Sequence, residues 1–252
     1  MSATPFVLLP PSEGKAVGGG GLPSRDTFDA SLGTFRVRVA AALERSLRRA
    51  TRAEREKLFN ARGELAERAL LATRAYLEGS APLREAWRRY EWVVWRHLEP
   101  ATLDAEERSR VLVPSALYGL TSANDAIADY RLKMSVRLKP LGVLAGYWKT
   151  PLSQVLATHA REATLVDLLP GEHASAFDFE TLSETTTLVR VSFVDRHRAR
   201  AVGHAAKAVK GVVARRIVRE GLANFEDFAW EGWRVERHEA GFVVAAPSSC
   251  TR

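Results

Sequence analysis

The sequence predicts a single α/β (α+β) domain in which helices surround a mixed β-sheet. Short apolar segments of strand length are interspersed with longer segments whose apolar residues recur at helical spacing. The 252 residues are 46% hydrophobic, enough for one large core or at most two small ones. Neither an internal repeat nor a linker divides the sequence, so we expect residues 1–252 to form one domain.

Strands are predicted where short apolar runs end at prolines, glycines or charged residues. Residues 6–9 form the first of these runs, and the glycines at 18–21 are expected to form a mobile loop. Later segments with the pattern of strands are residues 110–114, 130–138, 164–168, 187–194 and 241–246.

Helices are predicted over about residues 34–99 and over residues 202–222. Pro82 fits the first turn of the last helix in the first region. Its apolar positions are expected in the core rather than as a stacking platform: Trp87, Tyr90, Val94 and Leu98.

The charge balance predicts a polyanionic partner. The net charge is +7 and the pI is about 9.8, which is typical of proteins that bind DNA. Arginine far outnumbers lysine, so a general surplus of surface arginine is the alternative explanation.

Cysteine usage and hydropathy predict a cytoplasmic protein. Cys250 is the single cysteine, which argues against a disulfide framework and a cysteine metal site. The sequence has no run of 18 apolar residues, so we expect no membrane contact. Residues 1–11 lack the charged flank and cleavage site of a signal peptide and are expected to contain the first strand. A monomer is favoured.

Polar residues follow the first predicted strand at Ser12-Glu13-Gly14-Lys15. Ligands of α/β sheets bind beyond the carboxyl ends of strands, and a lysine there can hold a phosphate as a point charge. Gly14 would let the backbone approach a ligand closely. The alternative is a turn with a surface salt bridge.

Three further candidate residues follow the second predicted strand. The Tyr118 phenol could donate a hydrogen bond or stack on a base, or it could be buried and bonded to the backbone. Arg131 and Lys133 are two residues apart in a predicted strand and would share one face. On a buried face they would need an anion, whereas on a solvated face they would not.

The predicted basic helix carries cations that could contact phosphates. Lys207, Lys210 and Arg215 lie roughly along one side, and Gly211 would allow a helix or a phosphate backbone to approach. The alternative is a solvated amphipathic face. The complete set of predicted anion-binding or nucleic-acid-binding residues is Ser12, Lys15, Arg131, Lys133, Lys207, Lys210 and Arg215.

Signatures of common enzyme classes are absent, including the nucleophile elbow, the zinc-protease motif and the dinucleotide-binding glycines. We predict no cofactor and no metal. Glu172-His173 could supply ligands, but the histidines are scattered at His97, His159, His173, His197, His204 and His238. An enzyme remains open if polar residues converge near strand ends, the catalytic candidates being Glu13, Lys15, Tyr118, Asp125, Arg131 and Lys133.

Several segments together resemble the YaaA family of peroxide-stress proteins. The most specific are Leu117-Tyr118-Gly119, Asp125 and the Tyr-Arg-Leu-Lys-Met run at 130–134. The Pro-Ser-Glu-Gly-Lys turn at 11–15 and the Phe-Ala-Trp-Glu-Gly-Trp segment at 228–233 are similar to the family's opening and closing segments. Their order and spacing hold over nearly the whole chain.

The resemblance implies a compact α/β fold, a positively charged cleft and a helix-hairpin-helix-like element linked to DNA binding. It also implies a role in oxidative-stress defence and in limiting free intracellular iron. Two segments depart from the family pattern: residues 79–99 are more aromatic and basic, and residues 167–170 replace an Asn-Leu-Ala-Ser run. A diverged member, for example one used in specialised metabolism, is therefore an open alternative.

Three functions follow as hypotheses. The first is a peroxide-stress protein that binds DNA through a basic cleft. The second is an enzyme acting on a nucleobase, a nucleotide or another small anionic metabolite, with a strand-end pocket around Lys15, Tyr118 and Arg131. The third is a partner-binding module with a basic surface and no ligand of its own.

Overall fold

The computed structural model describes residues 5–20, 26–194, 203–239 and 241–246. Its strands are β1 (Phe6–Leu8), β2 (Arg84–Glu85), β3 (Val111–Ser115), β4 (Gly119–Ser122), β5 (Ala126–Ile127), β6 (Arg137–Leu138), β7 (Gly142–Val143), β8 (Thr164–Asp167), β9 (Thr187–Val194), β10 (Ala229–Trp230), β11 (Trp233–His238) and β12 (Gly241–Ala245). Its α-helices are α1 (Asp29–Arg48), α2 (Arg52–Phe59), α3 (Gly63–Leu77), α4 (Ala86–Arg89), α5 (Val93–Leu98), α6 (Ala105–Ser109), α7 (Leu144–His159), α8 (Gly171–Ala174), α9 (Phe179–Ser183) and α10 (His204–Glu220).

A mixed sheet organises the fold and confirms the predicted fold class. Among the described residues its eight strands have the order β10-β11-β12-β9-β8-β1-β3-β4. The central strands β12, β9, β8, β1 and β3 are parallel, whereas β4, β10 and β11 pair antiparallel at the edges. The carboxyl ends of the parallel strands therefore meet at one edge of the sheet.

The centre of the sheet is buried on both faces. Val7 and Leu8 of β1 are fully buried although successive strand residues point to opposite faces. The same holds for Val111 and Leu112 of β3. Near-continuous apolar runs of this kind are typical of parallel strands covered by helices on both sides.

The helical region predicted over residues 34–99 is interrupted. Helix α2 ends at Asn60, which adopts a left-handed conformation with φ 46°, and α3 begins at Gly63 with φ 54°. The prediction for Pro82 is wrong, because Pro82 precedes strand β2, which pairs with β5. Tyr90 then separates α4 from α5, so the apolar stripe spans two short helices.

That stripe nevertheless belongs to the core, as predicted. Tyr90 and Leu98 are buried, and Trp87 and Val94 are partly buried against the same cluster. The burial of these positions depends on tertiary packing and does not require one continuous helix.

The strand predicted over residues 130–138 is wrong except at its end. Only Arg137–Leu138 pair as a strand, β6, with β7. The preceding segment forms a turn in which Val136 N donates to Lys133 O. Tyr130 and Met134 are buried. The apolar residues of this segment therefore anchor a loop to the core and do not belong to a hydrogen-bonded strand.

The strands predicted at 164–168, 187–194 and 241–246 are confirmed as β8, β9 and β12, with small differences in their ends. Helix α10 corresponds to the predicted basic helix, whose residue 202 lies outside the described residues. Gly21 of the predicted glycine loop also lies outside them. In the described part of the chain, no helix combines the length and the apolar character that a membrane crossing requires.

Helices α5 and α10 pack closely at Gly211, as the sequence suggested for a helix partner. A β-carbon built on Gly211 would lie 2.2 Å from Val94 O and 2.8 Å from the backbone nitrogen of Leu98. Backbone atoms cannot move aside as a flexible side chain can, so this position requires glycine.

We predict that Gly211→Ala destabilises the fold despite alanine's higher helix propensity. The clash with α5 should lower the free energy of unfolding by about 1–3 kcal/mol, as for other overpacked sites. Urea-induced unfolding measures the change.

Gly146→Ala is the matched control. Gly146 lies in α7, and a β-carbon built there meets nothing within 4 Å. It should raise the free energy of unfolding by up to about 1 kcal/mol. Equal effects of the two substitutions would contradict the proposed packing constraint.

Candidate functional site

The loops that follow β1, β3 and β8 meet at the carboxyl edge of the sheet. Strand β1 lies between the other two and runs parallel to both. Leu168 N, just past β8, donates to Leu8 O at 3.1 Å, which attaches the start of the loop after β8 to the end of β1. The parallel pairing of these strands thus brings residues 12–15, 115–118 and 168–173 to one region of the structure.

Lys15 is buried at this edge and 7% exposed. Its Nζ donates to Ser12 O at 2.7 Å and lies 4.2 Å from the centroid of the Tyr130 ring. No carboxylate among the described residues lies within 4.0 Å of Nζ. Burial lowers the pKa of Lys15 to about 7, although the more distant Asp129 carboxylate acts to raise it.

Three buried hydroxyl groups lie beside Lys15. The Tyr90 and Tyr130 hydroxyl oxygens are 3.0 Å apart, and Ser115 Oγ donates to the Tyr130 hydroxyl at 2.8 Å. Burial raises the pKa of both tyrosines, so they remain protonated at neutral pH. Sequence reasoning did not propose Tyr90, Tyr130 or Ser115 as site residues, although Ser115 and Tyr130 begin two of the segments that carry the family resemblance.

Glu13 forms ion pairs with both predicted cations of the 130–134 segment. Its carboxylate is 3.1 Å from an Arg131 nitrogen and 3.0 Å from Lys133 Nζ. Burial acts to raise the pKa of Glu13, but the Lys133 and Arg131 contacts outweigh it and lower the pKa. Arg131 and Lys133 do meet an anion, therefore, but this anion is a side chain of the same protein.

His173 adds an unpartnered nitrogen to the site. Among the described residues, its buried Nδ1 has no hydrogen-bond partner. Burial lowers the pKa of His173 to about 4; Glu172 opposes this shift, while Lys210, Lys133 and Lys15 add to it. The imidazole is therefore neutral at pH 7 and experiences the positive potential of three lysines.

The predicted cations of α10 do not form one surface. Lys210 is buried, donates to Leu168 O and lies 4.9 Å from the centroid of the Phe193 ring. Burial lowers its pKa to about 8, against the Asp167 carboxylate, which raises it. Arg215 pairs with Glu99, and Lys207 is exposed. The three side chains point in different directions around α10. Lys210 lies among the apolar and small residues of the buried face, whereas Lys207 faces solvent.

Tyr118 and Asp125 have structural partners. The Tyr118 hydroxyl accepts a hydrogen bond from Ala128 N at 2.9 Å. Asp125 accepts from Thr27 Oγ1 at 2.6 Å and from Ser122 N at 2.8 Å. Both side chains join distant loops, and the Tyr118 ring lies 5.7 Å from the Tyr130 ring that contacts Lys15. Trp230 is partly buried and Trp233 is buried, which favours their role as anchors.

A second candidate surface is the hairpin of α2 and α3, which we call the helical hairpin (residues 51–77). Thr51 and Glu54 form a capping box at its start. Only residues 60–62 connect the helices, and a small core of its own holds it together: Phe59, Ala61, Ala66, Ala69 and Leu70.

Exposed cations surround the connection of the helical hairpin. Lys57 and Arg62 are exposed and line a surface depression together with Asn60 and Ala53. Glu56, in the same depression, accepts from Gly63 N at 3.3 Å and from Arg52 at 3.2 Å. The N-cap residue Arg62 makes no capping hydrogen bond at the start of α3, and Glu56 accepts from the first backbone N–H of the helix, that of Gly63.

Arg131 joins the two candidate surfaces. Its Nε donates to Phe59 O at 2.9 Å, at the end of α2, and its other nitrogens reach Asn60 O and Glu13. No group of three or more potential metal ligands occurs in the described part of the chain. Cys250 and His197, considered in the sequence analysis, lie outside it.

We predict that Lys15 makes stability depend on pH. Its folded-state pKa of about 7 lies below the ordinary 10.5, so between these values the unfolded chain binds a proton that the folded chain has released. The free energy of unfolding therefore rises with pH in this range. In Lys15→Met this contribution disappears, so the wild type should gain stability relative to the variant between pH 7 and about 9.

Denaturant unfolding at several pH values measures this difference, and Lys57→Met, at an exposed lysine, is the control. The Lys57→Met profile should run parallel to that of the wild type. A Lys15→Met profile that is also parallel would show that Lys15 is protonated in the folded state throughout this range.

Comparison of the sequence with known proteins identifies the family of this chain. A family model described as "Peroxide stress protein YaaA" matches residues 6–239. A UPF0246 protein of Streptomyces coelicolor is 32% identical over 230 residues, covering 86% of this chain and 84% of its own length. A UPF0246 protein of Ruegeria sp. strain TM1040 is 34% identical over 166 residues, covering 61% of this chain and 64% of its own. The chain therefore belongs to the YaaA (UPF0246) family of peroxide-stress proteins.

Proposed function

We propose that this peroxide-stress protein binds DNA through the helical hairpin. The observation that carries the proposal is the short connection at residues 60–62, which places the N-terminus of α3 beside the exposed cations Lys57 and Arg62. Helix N-termini and basic side chains are the usual partners of phosphate groups. The net charge of +7 favours the same class of partner.

The contacts proposed for the helical hairpin are to phosphates and not to base edges. Backbone N–H groups and flexible cations fix a protein on the DNA without reading its sequence, so we expect weak sequence preference. Such binding releases counterions and weakens steeply with salt. The proposal fits a cytoplasmic protein, which a single cysteine in 252 residues also favours.

Variants of the helical hairpin test this function. We expect Lys57→Ala and Arg62→Ala each to weaken duplex binding at low salt and to reduce the slope of log affinity against log salt by about 1. Glu64→Gln should strengthen binding, because it removes an exposed carboxylate from the first turn of α3. Fluorescence anisotropy between about 50 and 200 mM salt measures the slopes.

Lys149→Ala is the matched control, since Lys149 is an exposed lysine of α7. It removes the same charge but lies outside the helical hairpin. If the hairpin variants lost no more affinity than Lys149→Ala, DNA would have to bind elsewhere, and a slope near zero for the wild type would argue against DNA binding altogether.

A second candidate function is the binding and turnover of a small anionic metabolite, such as a nucleobase or nucleotide, at the strand-end site. The observation that favours it is Lys15, a buried amine that has no carboxylate partner within 4.0 Å among the described residues. Within the described part of the chain, the buried Nδ1 of His173 has no hydrogen-bond partner. An oxyanion would supply the missing counterion. Under this second hypothesis Lys15 binds the anion, whereas Tyr118 and Arg131 stabilise the surrounding loops.

Thermal unfolding in the presence of phosphate, nucleotides and free bases tests the second candidate. We expect at least one anion to raise the melting temperature of the wild type in a concentration-dependent way. Lys15→Met should abolish this shift, and Lys149→Ala should retain it. A shift that survives in Lys15→Met would place the anion elsewhere.

A further inference from the structure

We propose that Lys15 is a nucleophile that forms an imine with a small aldehyde or ketone carrying an anionic group. The inference deepens the second candidate function and rests on it. It names the class of compound, a carbonyl acid, and the atom that reacts, Lys15 Nζ.

The surroundings of Nζ differ from those of an ordinary surface lysine. Nζ is held by one hydrogen bond, to Ser12 O at 2.7 Å, and by the faces of Tyr130 and Tyr90 at 4.2 and 5.4 Å. An ammonium can donate three hydrogen bonds, and this environment offers it few partners. A desolvated lysine of this kind is activated as a nucleophile, and its pKa of about 7 leaves a large neutral fraction at neutral pH.

The same environment contains groups that can move protons. The Tyr90, Tyr130 and Ser115 hydroxyls form a connected set, and the rings of the two tyrosines contact Nζ. His173 contributes a buried Nδ1 without a partner in the described residues and is neutral at pH 7. Imine formation requires both a proton acceptor and a proton donor, and these groups can serve in both roles.

The proposed step balances as follows. The neutral amine adds to the carbonyl carbon, the C=O π bond breaks, and a proton passes from nitrogen to the new alkoxide to give a carbinolamine. A hydroxyl of the connected set donates a proton to the departing oxygen. Water leaves, the C=N bond forms, and the remaining proton on nitrogen passes to the hydroxyl that gave up its own. No oxidant or reductant is needed, and hydrolysis reverses the step.

The charges near the site favour a carbonyl compound with an anionic group. Lys133 and Lys210 both contribute to the lowered pKa of His173, in addition to the larger effect of burial. Glu13 neutralises part of the positive charge by forming ion pairs with Lys133 and Arg131. The ion pairs of Lys133 and Arg131 with Glu13 are accessible because the Glu13 side chain is half-exposed. The carboxylate of a ligand can therefore replace the Glu13 carboxylate as their partner.

Reductive trapping on the full chain tests the proposal. The protein is incubated at pH 7 with glyoxylate, an aldehyde that carries a carboxylate, and sodium cyanoborohydride. Peptide mass spectrometry then gives the fraction modified at each lysine. We expect Lys15 to be modified at least tenfold faster than the exposed Lys57 and Lys149, and acetaldehyde, which lacks the carboxylate, to react at least fivefold more slowly with Lys15 than glyoxylate does.

Lys15→Arg keeps a cation but removes the nucleophile, and its melting temperature reports whether it folds. We expect it to lose the fast modification. Comparable labelling of Lys15, Lys57 and Lys149 would overturn the proposal, as would fast labelling that persists in Lys15→Arg. If phosphate stabilises the wild type through Lys15 while Lys15 is not trapped, the imine is excluded and anion binding stands. If neither occurs, both fail.

Discussion

The parallel pairing of β1 with β3 on one side and β8 on the other is the constraint on which the candidate site depends. Val7 faces Val111 in one neighbour and Val166 in the other, and all three are fully buried. This buried register holds three carboxyl ends at one level. The loops carrying Lys15 and His173 start from these ends, so the apolar core fixes the position of the polar groups.

The buried cationic side chains at this edge form their hydrogen bonds mainly with backbone carbonyl groups. The Arg89 guanidinium donates to the carbonyl oxygens of Gly18, Pro82 and Ile127 at 2.7–3.2 Å. Lys15 and Lys210 likewise donate to the backbone. Carbonyl dipoles stabilise a cation less than a carboxylate does, so burial lowers the pKa of all three side chains. The resulting excess of positive potential is what an anionic ligand would relieve.

Arg131 couples this edge to the helical hairpin. It donates to the carbonyl end of α2 and, through Glu13, reaches the turn that carries Lys15. An anion that displaced Glu13 would free Arg131 and change its contact with the hairpin connection. The DNA-binding and small-ligand hypotheses therefore concern neighbouring parts of one connected structure.

The sequence alone determined the mixed α/β fold and most strands of the sheet, and it predicted a candidate site at the Ser12–Lys15 turn, because apolar periodicity and strand-end polar residues are local patterns. It could not show that residues 130–136 form a loop, since the alternating burial of Tyr130 and Met134 looks the same in a strand. Nor could it show that Lys210 points inward while Lys207 remains exposed. Only the tertiary structure decided these points, because the burial and charge partners of a side chain depend on residues far away in the sequence.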